Sequence, residues 1–312
     1  ATWGEFTRAW MDRQTWTAGT REAAQTAIQS VPWKGEGLGT VRPSAVQSWV
    51  TGETKRGLAP TTVRTRLNYV QMAFRAAVLD KVIPSSPAIG IKPPRVRKAE
   101  ATMKILTVDQ IRAVLDAAGD FRPFVEVCLF AGLRLGEAAG LQLGDVNFLA
   151  RTIDVRRQVQ GSTIATTTVV LPKYGSERTV YVPSELMTVL SAHVAAHGLT
   201  EPDEPLITTP LGRLYNRNTA GEEWRRIREA TGLPAELTLH TLRHTFASNL
   251  IASGCDVVTV QRALGHAQPS ITLNTYSHLW PSAEDRTRSA TAEFMATILD
   301  AGESAERSRS GP

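Results

Sequence analysis

Within LGHAQPSITLNTYSHL, residues 264 to 279, the chain places one of its 5 tyrosines and two of its 6 histidines. Together with Arg134, Lys173, His240 and Arg243, the pair His266 and Tyr276 makes a cationic set around one phenol. That set suits substitution at a phosphodiester. Guanidinium groups stay charged at any working pH and present planar donor forks. Arg134 and Arg243 can therefore hold both non-bridging oxygens and offset the charge that grows on them. A phenol ionises near pH 10, about three units above neutrality, so Tyr276 attacks at neutral pH only where cations or a base favour its phenolate. Histidine and arginine are suitable neighbours, and His240 and Arg243, at i and i+3, share a helix face. The leaving oxygen needs a proton, which Lys173 on a hairpin turn can deliver. Neither a metal nor any other cofactor is expected.

Rival chemistries lack their minimal parts. His240 and His244 stand at i and i+4, a zinc spacing, but Thr, Leu and Arg lie between them, with no carboxylate base and with a cation beside the metal position. GxSxG, GxxxxGK[ST] and a post-strand GxGxxG are all absent, which removes serine hydrolase, nucleotide hydrolase and dinucleotide readings. A lone arginine or histidine is most often structural; the combination and its order carry the argument.

Helices must position most of this set. LTVDQIRAVLDAA opens with Thr107 and Gln110 in capping-box spacing ahead of Ile111, Val114, Leu115 and Ala118. Helical pattern continues through RPFVEVCLFAGLRLGEAAGL. The period then shortens to two, and TIDVRRQVQ, TTTVVLPK and RTVYVP read as a three-stranded antiparallel sheet joined by two short turns. Helix returns in SELMTVLSAHVAAHG, AGEEWRRIREATGLP, LHTLRHTFASNLIASG and DVVTVQRALGH, each closed by a glycine near its C-cap. Upstream, PTTVRTRLNYVQMAFRAAVLDK repeats Val63, Leu67, Val70, Phe74 and Val78 at helical spacing, while Arg64, Arg66 and Arg75 project elsewhere as candidate contacts to a duplex. Five of the 7 tryptophans fall in the first fifty residues. The Pro-rich PSSPAIGIKPPRVRKAE, ending in Arg95, Arg97 and Lys98, reads as an extended cationic linker.

The charge is unevenly placed. The first hundred residues hold 15 Lys and Arg against 7 Asp and Glu, whereas the remainder holds 20 against 23. A basic module on an otherwise balanced chain suits a polyanion partner. Cys128 and Cys255 are too few for a disulfide framework, which fits a reducing compartment. Neither a signal peptide nor a membrane-spanning stretch is legible, so the expected place is the cytoplasm, with no membrane partner.

AGLRLGEAAGL, HTLRHTFAS and LGHAQPSITLNTYSHL resemble, in order and separation, the three signature boxes of the tyrosine recombinase (phage integrase) family, over residues 101 to about 283. The resemblance implies that Arg134 and Arg243 hold the scissile phosphate, Glu137 supports the first box, Lys173 is the general acid, and His240 and His266 assist. Tyr276 would attack to form a 3′-phosphotyrosyl link, resealed without ATP. Two departures stand out: Thr241 replaces an acidic residue, and LPKYGSERTVYV replaces the usual Lys-Thr-x-x-Ser-x-Arg run.

The implied fold is mainly α with a small antiparallel three-stranded sheet, in two domains that form a C-shaped clamp on DNA. The expected boundaries are a helical, SAM-like core-binding domain at 1–92, a basic linker at 93–100, a catalytic domain at 101–300 and a disordered tail at 301–312. Larger members carry a further arm-binding domain, and this chain opens directly in core-binding pattern.

The implied partners are double-stranded DNA with specific core sites, further copies in a homotetramer, a host DNA-bending protein and a directionality factor. The place would be the nucleoid of a bacterial or phage-infected cell. The implied function is integration or excision of phage or mobile-element DNA. The alternatives are a Xer-like chromosome-dimer resolvase, a type IB topoisomerase with the same chemistry but no synapsis, and a DNA-binding module without catalysis. Phe294, Met295, Ile298 and Leu299, beyond the tyrosine helix, would by analogy dock on a neighbouring subunit, the alternative being that they pack on their own domain.

Overall fold

The computed structural model describes residues 1–94, 104–172, 176–280, 287–288 and 291–297. The chain divides into two compact units, Ala1–Met103 and Lys104–Pro312. Among the described residues no helix is long and apolar enough to cross a membrane.

The first unit is built from α1 (Trp3–Asp12), α2 (Ala18–Gln29), α3 (Pro43–Lys55) and α4 (Pro60–Leu79). A capping box between Thr2 and Glu5 starts α1, and Pro43 and Pro60 sit in the first turns of α3 and α4, where a missing N–H costs nothing. The tryptophans explain themselves here. Trp3 meets Phe74 at 4.6 Å and Trp33 at 6.2 Å, and Trp33 meets Trp49 at 6.0 Å edge to face, so one aromatic chain ties α1, α3 and α4 together. Val63, Leu67, Val70 and Phe74 are buried as their spacing requires. The start of the Pro-rich stretch is anchored: Ala88 is buried in this core and its carbonyl accepts from Gln71 Nε2 at 3.2 Å. Arg95, Arg97 and Lys98, like residues 301–312, lie outside the described residues.

The second unit is mostly helical: α5 (Val108–Ala117), α6 (Arg122–Phe130), α7 (Leu135–Ala139), α8 (Ser184–His197), α9 (Arg217–Thr231), α10 (Leu239–Ala252), α11 (Val257–Leu264) and α12 (Pro269–Tyr276). Thr107 and Gln110 form the capping box expected of α5. The apolar core gathers around α6, with Phe121, Phe124 and Tyr215 stacked and tilted on one another.

Two local expectations are corrected. The helical pattern through RPFVEVCLFAGLRLGEAAGL is interrupted between Phe130 and Leu135, where Gly132 takes a φ of 65°, so Arg134 becomes the N-cap of α7 instead of a mid-helix residue. The β-segments also pair differently. β1 (Val146–Asn147), β2 (Thr152–Val155) and β5 (Arg178–Tyr181) form a three-stranded antiparallel sheet in that order, while β3 (Gln158–Gln160) and β4 (Thr168–Val170) form a separate antiparallel pair. Ile153 faces Val180, and Val159 faces Val169. TIDVRRQVQ is thus two strands. Its break falls at Arg156 and Arg157, whose guanidiniums turn aside to Asp154 and Asp145 respectively.

Candidate active site

Side chains from α7, α10, the segment after α11 and α12 converge on one cleft of about 360 Å³ in the second unit. Its walls include Arg134 and Glu137 from the start of α7, His240, Arg243 and His244 from α10, His266 after α11, and Tyr276 at the end of α12. α10 begins where the Thr238 backbone N–H donates to the Thr241 hydroxyl at 3.0 Å, so Thr241, standing where an acid was expected, supplies a capping bond. One turn on, Arg243 is 2% exposed and donates from Nη1 to Gly132 O and from Nη2 to Leu264 O, both at 2.5 Å. Each carbonyl is presented by a glycine in the left-handed region. A Cβ on Gly132 would overlap the Phe246 ring, and one on Gly265, at φ 62°, would stand 2.8 Å from the Arg178 side chain.

Glu137, 1% exposed, is the hub. It accepts from Arg178 Nη1 and Nη2 at 3.1 and 2.9 Å, from Arg134 Nη1 at 2.6 Å and from the Arg134 backbone N–H at 2.9 Å, with Arg243 Nη1 4.0 Å away. Burial alone would raise its pKa. The bonds and charge of Arg178, with the charges of Arg134 and Arg243, outweigh burial and hold the carboxyl at about 2. Burial, followed by Arg134, lowers Arg243 to about 9, so its guanidinium still carries its charge at neutral pH. Among the residues lining the cleft Glu137 is the sole carboxylate, and three guanidiniums surround it. Two positive charges remain uncompensated, the electrostatic condition for receiving an anion.

The imidazoles do not add to that charge. Desolvation, then the positive charges nearby, hold His240 and His266 at about 4 and lower His244, so all three are neutral at pH 7. His266 Nδ1 is 2.8 Å from the hydroxyl of buried Thr272, which fixes its ring. Tyr276 is 1% exposed, and its Oη lies 2.9 Å from His244 Nδ1. Burial raises the Tyr276 pKa while Arg243 and Arg134 lower it, with burial prevailing. The nucleophile candidate is therefore kept as a phenol until its surroundings change.

The cleft unites Arg134, Glu137, His240, Arg243, His266 and Tyr276 within one chain. Lys173 lies outside the described residues. Arg64 and Arg75 are exposed on α4, whereas Arg66 is bound to Glu53, a carboxylate with no exposure of its own. Sequence reading missed two residues. Arg178, 7% exposed, joins β5 to Glu137 and to Ala263 O at 3.0 Å; its signal was the Ser-x-Arg remnant in LPKYGSERTVYV. The second is His244, whose only signal in the sequence is its spacing from His240. Among the described residues no three histidines, cysteines or carboxylates are grouped to hold a metal.

Residues 104–282 match the model of the phage integrase family. The tyrosine recombinase XerC of Haemophilus ducreyi is 30% identical over 250 residues, covering 76% of this chain and 74% of that protein. A tyrosine recombinase XerC-like protein of Caldanaerobacter subterraneus is 25% identical over 271 residues, 78% of this chain and 69% of its own length. In fold, the Tn1549 transposon integrase in complex with transposon right end DNA superposes with a TM-score of 0.81, at 20% identity, over 94% of this chain and 99% of the other. With the family model spanning more than half of its length, and a phenol set among paired guanidiniums, the chain belongs to the phage integrase family of tyrosine recombinases.

Proposed function

We propose that the cleft cuts and rejoins double-stranded DNA at specific core sites, with Tyr276 as the nucleophile. The observation that carries this reading is the placement of Tyr276 in the same cleft as Arg134 and Arg243, under two uncompensated positive charges. The scissile phosphate occupies that anion site. Arg134 and Arg243 each make two side-chain bonds within the protein and have further N–H groups for its non-bridging oxygens. As Tyr276 Oη bonds to phosphorus, the bond to the 5′ oxygen breaks, with Lys173 protonating the leaving oxygen. His240 and His266 hydrogen-bond the phosphate. The 3′-phosphotyrosyl link conserves the phosphodiester, so a 5′-hydroxyl from a partner strand reseals it.

Four copies on DNA complete the exchange, assisted by a DNA-bending protein and a directionality factor. Exposed Phe294 and Met295, in the helical stretch 291–297, supply an apolar contact between copies. The first unit grips the duplex with Arg64 and Arg75. Integration or excision of mobile DNA agrees with the likeness to a transposon integrase. Both sequence relatives named above are XerC-type, which favours chromosome-dimer resolution as the second reading.

The test is a nicked duplex pool with a randomised core, from which the 5′ fragment diffuses after cleavage. The wild-type chain should form a denaturation-resistant DNA adduct, indifferent to chelator, and Tyr276→Phe should lose it while still binding DNA. An adduct in the Phe variant would remove Tyr276 from this role. Relaxation of supercoils without paired sites would instead indicate a topoisomerase. Recombination between copies of a single host chromosomal site would indicate the resolvase.

A further inference from the structure

We propose that His244 is the general base of this cleft, the group that takes the proton from Tyr276 as it attacks. The inference rests on the recombinase reading above and adds a residue to it. Three histidines line the cleft, and they are not equivalent. His266 Nδ1 is engaged by Thr272, and His240 is exposed with its ring edge-on to His244 at 4.5 Å. The phenol hydroxyl lies at His244, 2.9 Å from Nδ1, with ring centroids 5.7 Å apart.

The fold holds this pair from both sides. His244 projects from the middle of α10, whose neighbouring Arg243 is fastened to two carbonyls, and Tyr276 is the last residue of α12. The charged and titratable groups near the pair are His240 and Arg243 on the same helix, Arg134, Glu137 and His266 on the cleft wall, and exposed His278 in the turn after α12. Among the described residues no carboxylate bonds to His244, and burial and Arg243 both favour its neutral ring. A neutral ring with its proton on Nε2 leaves the Nδ1 lone pair facing the phenol.

The step balances. The Tyr276 Oη–phosphorus bond forms and the phosphorus–5′ oxygen bond breaks. The phenol proton passes to Nδ1 of His244, and the leaving oxygen takes its proton from the general acid assigned to Lys173. A phosphate seated on Arg243 offsets the charge that depresses His244, so substrate binding itself raises the basicity of the ring. On religation the imidazolium returns the proton to the departing tyrosine.

The experiment measures single-turnover adduct formation on adduct-forming duplexes selected from the nicked pool, with DNA binding measured alongside. His244→Ala should slow cleavage by about a hundredfold or more at neutral pH with binding retained, and added imidazole should restore part of the rate. His244→Asn separates a base from a mere support, because its amide oxygen can accept the phenol hydrogen bond but not the proton. It should be as slow as the alanine variant, and its rate should climb with pH towards phenol ionisation. The wild-type rate should fall on the acid side as His244 takes up a proton, a limb that the asparagine and alanine variants should lack. An asparagine variant within about threefold of wild type would overturn the proposal, as would an unchanged pH profile. A wild-type chain that makes no adduct at all would overturn the recombinase reading itself, an outcome distinct from an adduct that forms regardless of residue 244.

Discussion

Glu137 holds the cleft's charges in place, since an anion buried among three guanidiniums keeps Arg134 and Arg178 from repelling one another. Replacing it with the isosteric Gln leaves those cations in contact without a counter-charge. Glu137→Gln should lower unfolding free energy by about 3 kcal/mol in urea or thermal melts, the usual scale for breaking a buried ion pair. It should also weaken adduct formation, because Arg134 donates to both carboxylate oxygens and the amide keeps only one acceptor. The pH dependence has a definite sign. The folded carboxyl titrates at about 2 and the unfolded one near 4.5, so the stabilisation is full above pH 4.5 and drains away as pH falls towards 2. Acid melts of the wild type should fall more steeply within that window than those of the Gln variant.

The end of α11 is the element on which the cleft turns. Gly265 closes that helix in the left-handed conformation, presents the Leu264 carbonyl to Arg243 and sends His266 towards Thr272. Gly198 closes α8 at nearly the same φ, 63° against 62°, with open space around it. The two glycines therefore separate backbone cost from cleft geometry. Gly198→Ala should cost about 1 kcal/mol of stability and leave cleavage unchanged. Gly265→Ala should cost more, since its Cβ meets Arg178, and should slow adduct formation at least tenfold. Equal cleavage rates in the two variants would show that the cap does not position the site. The broken β2 and β3 illustrate the same scale: alternation along TIDVRRQVQ was legible, but the ion pairs of Arg156 and Arg157 divide it between two sheets.

Across the whole molecule, the surplus of positive charge in the first hundred residues should make DNA affinity strongly dependent on salt if that unit meets the duplex. α4 offers an internal comparison. Arg64→Ala and Arg75→Ala should each reduce the slope of log affinity against log salt by about 0.9, with melting unchanged, if each arginine neutralises one phosphate. Arg66→Ala should behave in the opposite way. It strips buried Glu53 of one of two arginine partners, Arg56 being the other, so it should cost about 2 kcal/mol of stability and leave the salt slope nearly intact. Filter binding from 50 to 200 mM salt, a range of about fourfold, together with calorimetry would distinguish the three.

Residue order alone determined the helical content, the capping box at Thr107, the charge imbalance and which residues were candidates for the cleft, because residue type, short-range periodicity and composition are local properties. The contacts that make the site work were decided by tertiary structure. Arg178 reaches Glu137 across 41 positions, His244 reaches Tyr276 across 32, and Arg134 reaches Gly265 across 131. Arg64 and Arg66 look alike in the sequence, yet one faces solvent and the other neutralises a buried acid. Which of several similar side chains meets a distant partner depends on how the helices pack, and packing is settled by the whole core.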